Sequence, residues 1–211
     1  MTHMHSAIRL LLAAALAVVG TSCGDVVRDG RSPVFLVIQS LTATRGAVSG
    51  GTASGFLMSD VVSYVTSPAP CSAVSPCPTI FNDTGSVTLR LSLKNIGNPG
   101  SVTAPSTNNE VTISRYRVDF RRADGRNTPG VDVPYGFDGG VTGTIIANGS
   151  LGLGFELVRH VAKQESPLVQ LGSSAVIIST IADITFYGRD QVGNDISVTG
   201  SITVDFGDFG G

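Results

Sequence analysis

Apolar and polar residues alternate along this chain with a period of two, and that alternation is its clearest signal. Over residues 196–206, Ile196, Val198, Ile202, Val204 and Phe206 are interleaved with Ser197, Thr199, Ser201, Thr203 and Asp205, which predicts a strand with one buried and one wet face. Residues 86–96 repeat it, with Val87, Leu89, Leu91 and Leu93 facing inward and Thr88, Arg90, Ser92 and Lys94 facing water. Weaker versions at 34–44, 55–66, 111–122, 141–147, 153–162 and 175–187 are each bounded by Gly, Pro, Asn or Asp. About eight strands are therefore expected. Helical spacing is scarce, and its best instance is the short stretch 158–165.

Strands that follow one another without intervening helices point to antiparallel sheets. At this length a two-sheet sandwich is the expected way to bury their apolar faces, with a closed barrel as the alternative. The composition agrees with a turn-rich β protein: 26 glycines and only 14% charged residues in 211, whereas a helical chain carries more Ala, Glu, Lys and Leu. A hydrophobic share of 42% is that of a folded domain. A formal net charge of −2 gives no bulk attraction to nucleic acid or anionic lipid. No repeat of fixed period is visible, which disfavours propellers and solenoids.

The first 22 residues read as an export signal. Residues 1–9 carry one Arg and no acid, and the apolar run at 10–20 ends in small residues before Cys23. That run is shorter than the roughly 20 residues a membrane-spanning helix needs. Gly20-Thr21-Ser22-Cys23 resembles the lipobox of bacterial lipoproteins. The resemblance implies diacylation of Cys23, attachment to the membrane through that N-terminal lipid, and residence in the cell envelope. The alternative is ordinary signal-peptidase cleavage near Ala15-Leu16-Ala17, which leaves Cys23 as a spare thiol in an oxidising compartment, where unpaired cysteines are unusual. Residues 23–33, polar and rich in Gly and charge, suit a tether, and 34–211 read as one domain. Near the C-terminus, GRDQVGND at 188–195 resembles the D-x-x-G-N turn of bacterial Ig-like modules, carried by Asp190, Gly193 and Asn194. It implies an Ig-like sandwich and no particular activity.

Candidate chemistry is sparse. Cys71 and Cys77 enclose a short loop flanked by prolines, and in an exported chain a disulfide is expected. A redox site would call for Cys-x-x-Cys, and zinc for four ligands where two are present. After signal cleavage His160 is the one histidine left, so the usual triads and multi-histidine metal sites are not available. Nucleotide-binding, hydrolase and zincin motifs are lacking as well. No cofactor or catalytic residue is assigned. Asp190, Asn194 and Asp195, with Asp124 or Asp138 from elsewhere, would supply part of a calcium site, but turn chemistry explains them first. Within VTISRYRVDFRR, Arg115, Arg117 and Arg121 share one strand face. That ladder could grip a carboxylate, phosphate or sulfated glycan bidentately, although pairing with acids on neighbouring strands is the simpler expectation. The function expected is a non-catalytic envelope module that binds a protein or glycan. A carbohydrate-active enzyme is the alternative, and it would show two carboxylates meeting in a concave pocket.

Overall fold

The computed structural model describes residues 31–47, 51–98 and 100–209. The expected signal peptide, Cys23 and most of the expected tether lie outside the described residues. The protein is all-β, built from two facing sheets. The smaller has the order β1 (Val34–Thr44), β5 (Asp83–Leu93), β10 (Ser150–Val158). The larger runs β2 (Phe56–Asp60), β12 (Asp195–Gly207), β11 (Ile178–Asp190), β8 (Val111–Arg121), β9 (Phe137–Ile145). Short ladders join β3 (Ser63–Val65) to β4 (Cys77–Thr79) and β6 (Gly97–Asn98) to β7 (Ser101–Val102). The helical spacing at 158–165 becomes a single turn, α1 (His160–Lys163), and another turn of 3-10 type follows at Leu168–Ser173. Among the described residues no helix is long and apolar enough to cross a membrane.

The alternating residues bury the faces their pattern predicts. Val87, Leu89 and Leu91 of β5 and Ile202, Val204 and Phe206 of β12 belong to one continuous core, together with Val118 and Phe120 of β8 and Ile184 and Phe186 of β11. At its centre Phe155 of the small sheet meets Tyr116 and Phe186 of the large one, each at 5.3 Å between ring centres. Two cross-strand partners of these rings are glycines. Phe155 is paired with Gly85, and Tyr116 with Gly139; a Cβ on either glycine would stand 2.2 Å from the ring. The missing side chains let the rings lie flat on the neighbouring strand, as aromatic–glycine pairs do in curved sheets. The Tyr116 hydroxyl accepts the Glu156 backbone N–H at 3.1 Å, which ties the sheets with a polar bond. Burial pushes the pKa of this phenol above its ordinary value.

Pairing departs from a purely antiparallel plan at one edge, where β2 runs parallel to β12. Direction is imposed by a hairpin only on strands joined by one, as β11 and β12 are. β2 is not joined to β12 by a hairpin; it follows β1, and Ala43 of β1 is bridged antiparallel to Ser54 just ahead of β2. The body also begins slightly before β1: Ser32 is buried, and the Lys94 N–H donates to the Pro33 carbonyl at 2.9 Å.

Cys71 and Cys77 are disulfide-bonded, with their Cα atoms 5.3 Å apart. The bond closes the loop between β3 and β4, whose tip is held by Ser72 and Ser75 through paired backbone bonds. On the chain-entropy account so short a loop stabilises the fold by about 2 kcal/mol. Thiol labelling of the purified protein is expected only after reduction, accompanied by a shift of that order in the urea midpoint. Labelling of both cysteines without reductant would be incompatible with this bridge.

Candidate functional site

The arginine face is already occupied. Arg115 donates to Asp138 at 3.1 Å and stacks its guanidinium 3.6 Å over the Tyr187 ring. Arg117 forks onto both oxygens of Asp119 and reaches Asp138, each contact 2.8 Å long. Arg121 binds Asp183 at 2.6 Å, and Asp183 also accepts the Ser201 hydroxyl. The ladder is therefore a mixed-charge surface on β8, β9 and β11, with each cation matched by a carboxylate on its own or a neighbouring strand. Exposed pairs of this kind contribute little stability apiece. A ligand anion would have to displace acids already in place.

The turn at 188–195 is held by its own residues. Asp190 Oδ1 accepts the Val192 and Asn194 N–H groups at 3.1 and 2.8 Å, and Oδ2 accepts the Asn194 side-chain amide at 2.8 Å. Gly193 takes the positive φ of +85° that reverses the chain. Asn194 does not; its part is played by its amide. Asp195 pairs with Arg189, and Asp124 with Arg122 and Arg126. Among the described residues no three His, Cys, Asp or Glu side chains gather as metal ligands would. Burial pushes the Asp190 carboxyl up, but the bonds from Asn194, Ser32 and Val192 outweigh it and hold it below its ordinary value. The stability Asp190 contributes is thus present above the ordinary carboxylate pKa and is lost as pH falls through the depressed one. Urea midpoints measured from neutral to acid pH should show a shallower acid-side loss in Asp190→Ala than in the parent; identical slopes would count against this.

A second polar constellation, not anticipated from the sequence, lies inside one end of the sandwich. Lys163 of α1 places Nζ 2.9 Å from Asp83 Oδ2 and donates to the Asp60 carbonyl at 2.8 Å. Asp83, the first residue of β5, also accepts the Gly46 N–H at 2.8 Å and the Ser59 hydroxyl at 2.6 Å. Beside it the Asp60 carboxylate binds Arg45 at 2.6 Å and accepts from Ser63 and the Phe209 N–H. In the interior the fold brings two carboxylates together, and both are sealed: the side-chain exposures are 1% for Asp60, 0% for Asp83 and 1% for Lys163. Each is neutralised by a cation. The cluster staples the segment just after β1 to β2, β5 and α1, and its two carboxylates offer no open face to a substrate.

An open concavity lies toward the other end of β5. A pocket of about 570 Å³ sits on the outer face of the small sheet, within the volume range of small-ligand sites. Its floor carries Arg90 and Ser92 of β5 and Ser150 of β10, which is the direct cross-strand partner of Arg90. Gln39 enters from β1 at a bulge between Ile38 and Ser40, the device by which a strand re-aims a side chain. The wall is formed by Ile96, Thr103, Ala104 and Pro105. Thr103 fastens back to the Ile96 carbonyl, and Asn148, in left-handed conformation at φ 59°, reaches the Pro105 carbonyl at 3.5 Å. None of the residues lining this pocket is a carboxylate, and Arg90 is the ionised one among them.

Comparison with protein-family models, with curated proteins and with solved structures finds no match to this chain.

Proposed function

We propose that this chain is an exported, lipid-tethered module of the bacterial cell envelope, an Ig-like sandwich that binds a protein or glycan partner without transforming it. The pocket over β1, β5 and β10 carries this reading: it is an open concavity whose lining sets hydroxyls and carboxamides around one cation. The closing turn at Asp190, Gly193 and Asn194 supports the Ig-like resemblance. The GTSC sequence ending at Cys23 supports the tether.

Two measurements test the parts separately. The full chain expressed in a bacterial host is expected to partition into detergent, and Cys23→Ser to leave it in the aqueous phase or stall its processing; equal partitioning would remove the lipid from the proposal. For recognition, Ser150→Trp places a large ring in the pocket from an exposed strand position. Wild-type protein should bind members of a panel of envelope glycans or isolated envelope material, and the Trp variant should lose that binding while keeping its urea midpoint. Unchanged binding would move recognition elsewhere on the body.

A further inference from the structure

We infer that the pocket receives a monoanionic, hydroxyl-rich ligand, a saccharide carrying a carboxylate of the uronic-acid kind, with Arg90 taking the carboxylate; this rests on the pocket being the recognition site. The strand arginines of the large sheet set the contrast. Arg115, Arg117, Arg121 and Arg189 each hold a carboxylate at 3.1 Å or less. Arg90 has no such partner among the described residues: its cross-strand neighbours are Val37 and Ser150, and those on either side of it along the outer face are Thr88 and Ser92. An uncompensated guanidinium in a concave site presents a planar fork that matches a carboxylate bidentately.

The rest of the lining selects what carries that carboxylate. Hydroxyls of Ser92, Ser150 and Thr103 and carboxamides of Gln39 and Asn148 surround Arg90. These groups donate and accept, as sugar hydroxyls require. Ile96 and Pro105 supply an aliphatic flank for a C–H face. A single cation balances one negative charge and leaves the second charge of a phosphate unmatched. A peptide C-terminus also offers a carboxylate, but an extended peptide gains affinity by pairing its main chain along an open strand edge. Arg90 stands on β5, which is paired on both sides, by β1 and β10.

The test is calorimetric or NMR titration of the processed protein with sodium glucuronate, sodium galacturonate, glucose, inorganic phosphate and an N-acetylated dipeptide with a free C-terminus. At least one uronate is expected to bind roughly tenfold or more tightly than glucose, the interaction weakening with added salt. Arg90→Gln should weaken it by a similar factor, and Ser150→Trp should abolish it. Combined Arg115→Gln, Arg117→Gln and Arg121→Gln should leave it unchanged. Preference for phosphate or the dipeptide, retained uronate affinity in Arg90→Gln, or no binding of either uronate would overturn the inference. Glucose binding equal to that of the uronates and lost in Ser150→Trp would overturn it while leaving the pocket as a recognition site. Uronate binding that survives Ser150→Trp would instead overturn the assignment of the pocket itself.

Discussion

Lys163→Met is expected to destabilise the protein by about 3–5 kcal/mol, a large part of the roughly 5–15 kcal/mol that holds a domain together. The methionine fills the volume but leaves Asp83 fully buried with only the Gly46 N–H and the Ser59 hydroxyl to satisfy it, and it strips the Asp60 carbonyl of its lysine donor. Asp83→Leu should cost a comparable amount by stranding the ammonium. The double replacement should cost clearly less than the sum, because a buried ion pair exchanged for apolar groups is often nearly neutral. Urea denaturation of the four proteins measures this, and additive losses would mean that the pair does not interact as described. The lysine also has a signature in pH. Burial lowers its pKa by more than the attraction of Asp83 and Asp60 raises it. Between the depressed value and the ordinary lysine value the unfolded chain binds more protons, so this group's contribution to stability rises with pH in the alkaline range and falls as pH drops through the depressed value. The parent should therefore gain stability relative to Lys163→Met as pH approaches the ordinary lysine value.

Phe186→Ala is expected to cost about 3–5 kcal/mol as well, through a different mechanism. Phe186 is fully buried, and its ring meets Phe155 edge-on at 5.3 Å and Tyr116 at 6.3 Å. Phe155 belongs to the small sheet, while Tyr116 and Phe186 belong to the large one, so truncation removes transfer energy and opens a cavity where the sheets meet. β11 is paired along its length by β12 on one side and by β8 on the other, and these strands cannot collapse into that space without breaking register. Phe35→Ala is the contrast, since Phe35 is 54% exposed on β1 and its loss should fall within about 0.5 kcal/mol. Similar urea midpoints for the two variants would contradict this placement of the core.

Within each strand the physics is local, and it was legible. Side chains alternate faces with a period of two, so Val87, Leu89 and Leu91, or Ile202, Val204 and Phe206, declare their buried side without reference to any partner. The turn chemistry of Asp190 and Gly193 and the closing of a six-residue separation between Cys71 and Cys77 are local in the same sense. The sequence carries one further local signal. Asp83 shares the parity of Val87 and Leu89 and therefore points a carboxylate inward, which requires a cation from somewhere.

Where that cation came from only the tertiary structure decided, because Lys163 sits on a short turn far along the chain and meets Asp83 through the packing of α1 against the end of the sandwich. The arginine face shows the same division. Its exposure on one side of β8 followed from alternation, whereas its neutralisation by Asp138 and Asp183 depended on the registers that β9 and β11 adopt beside it. Arg90 was equally readable as an outward residue, but its lack of a carboxylate partner among the described residues and its place on the floor of a pocket arise from β10, the bulge at Gln39 and the residues Ile96 and Thr103 to Pro105 converging on it. A strand's own residues determine which side is apolar; the partner that a charge finds is determined by register and long-range packing, which no single stretch of sequence encodes.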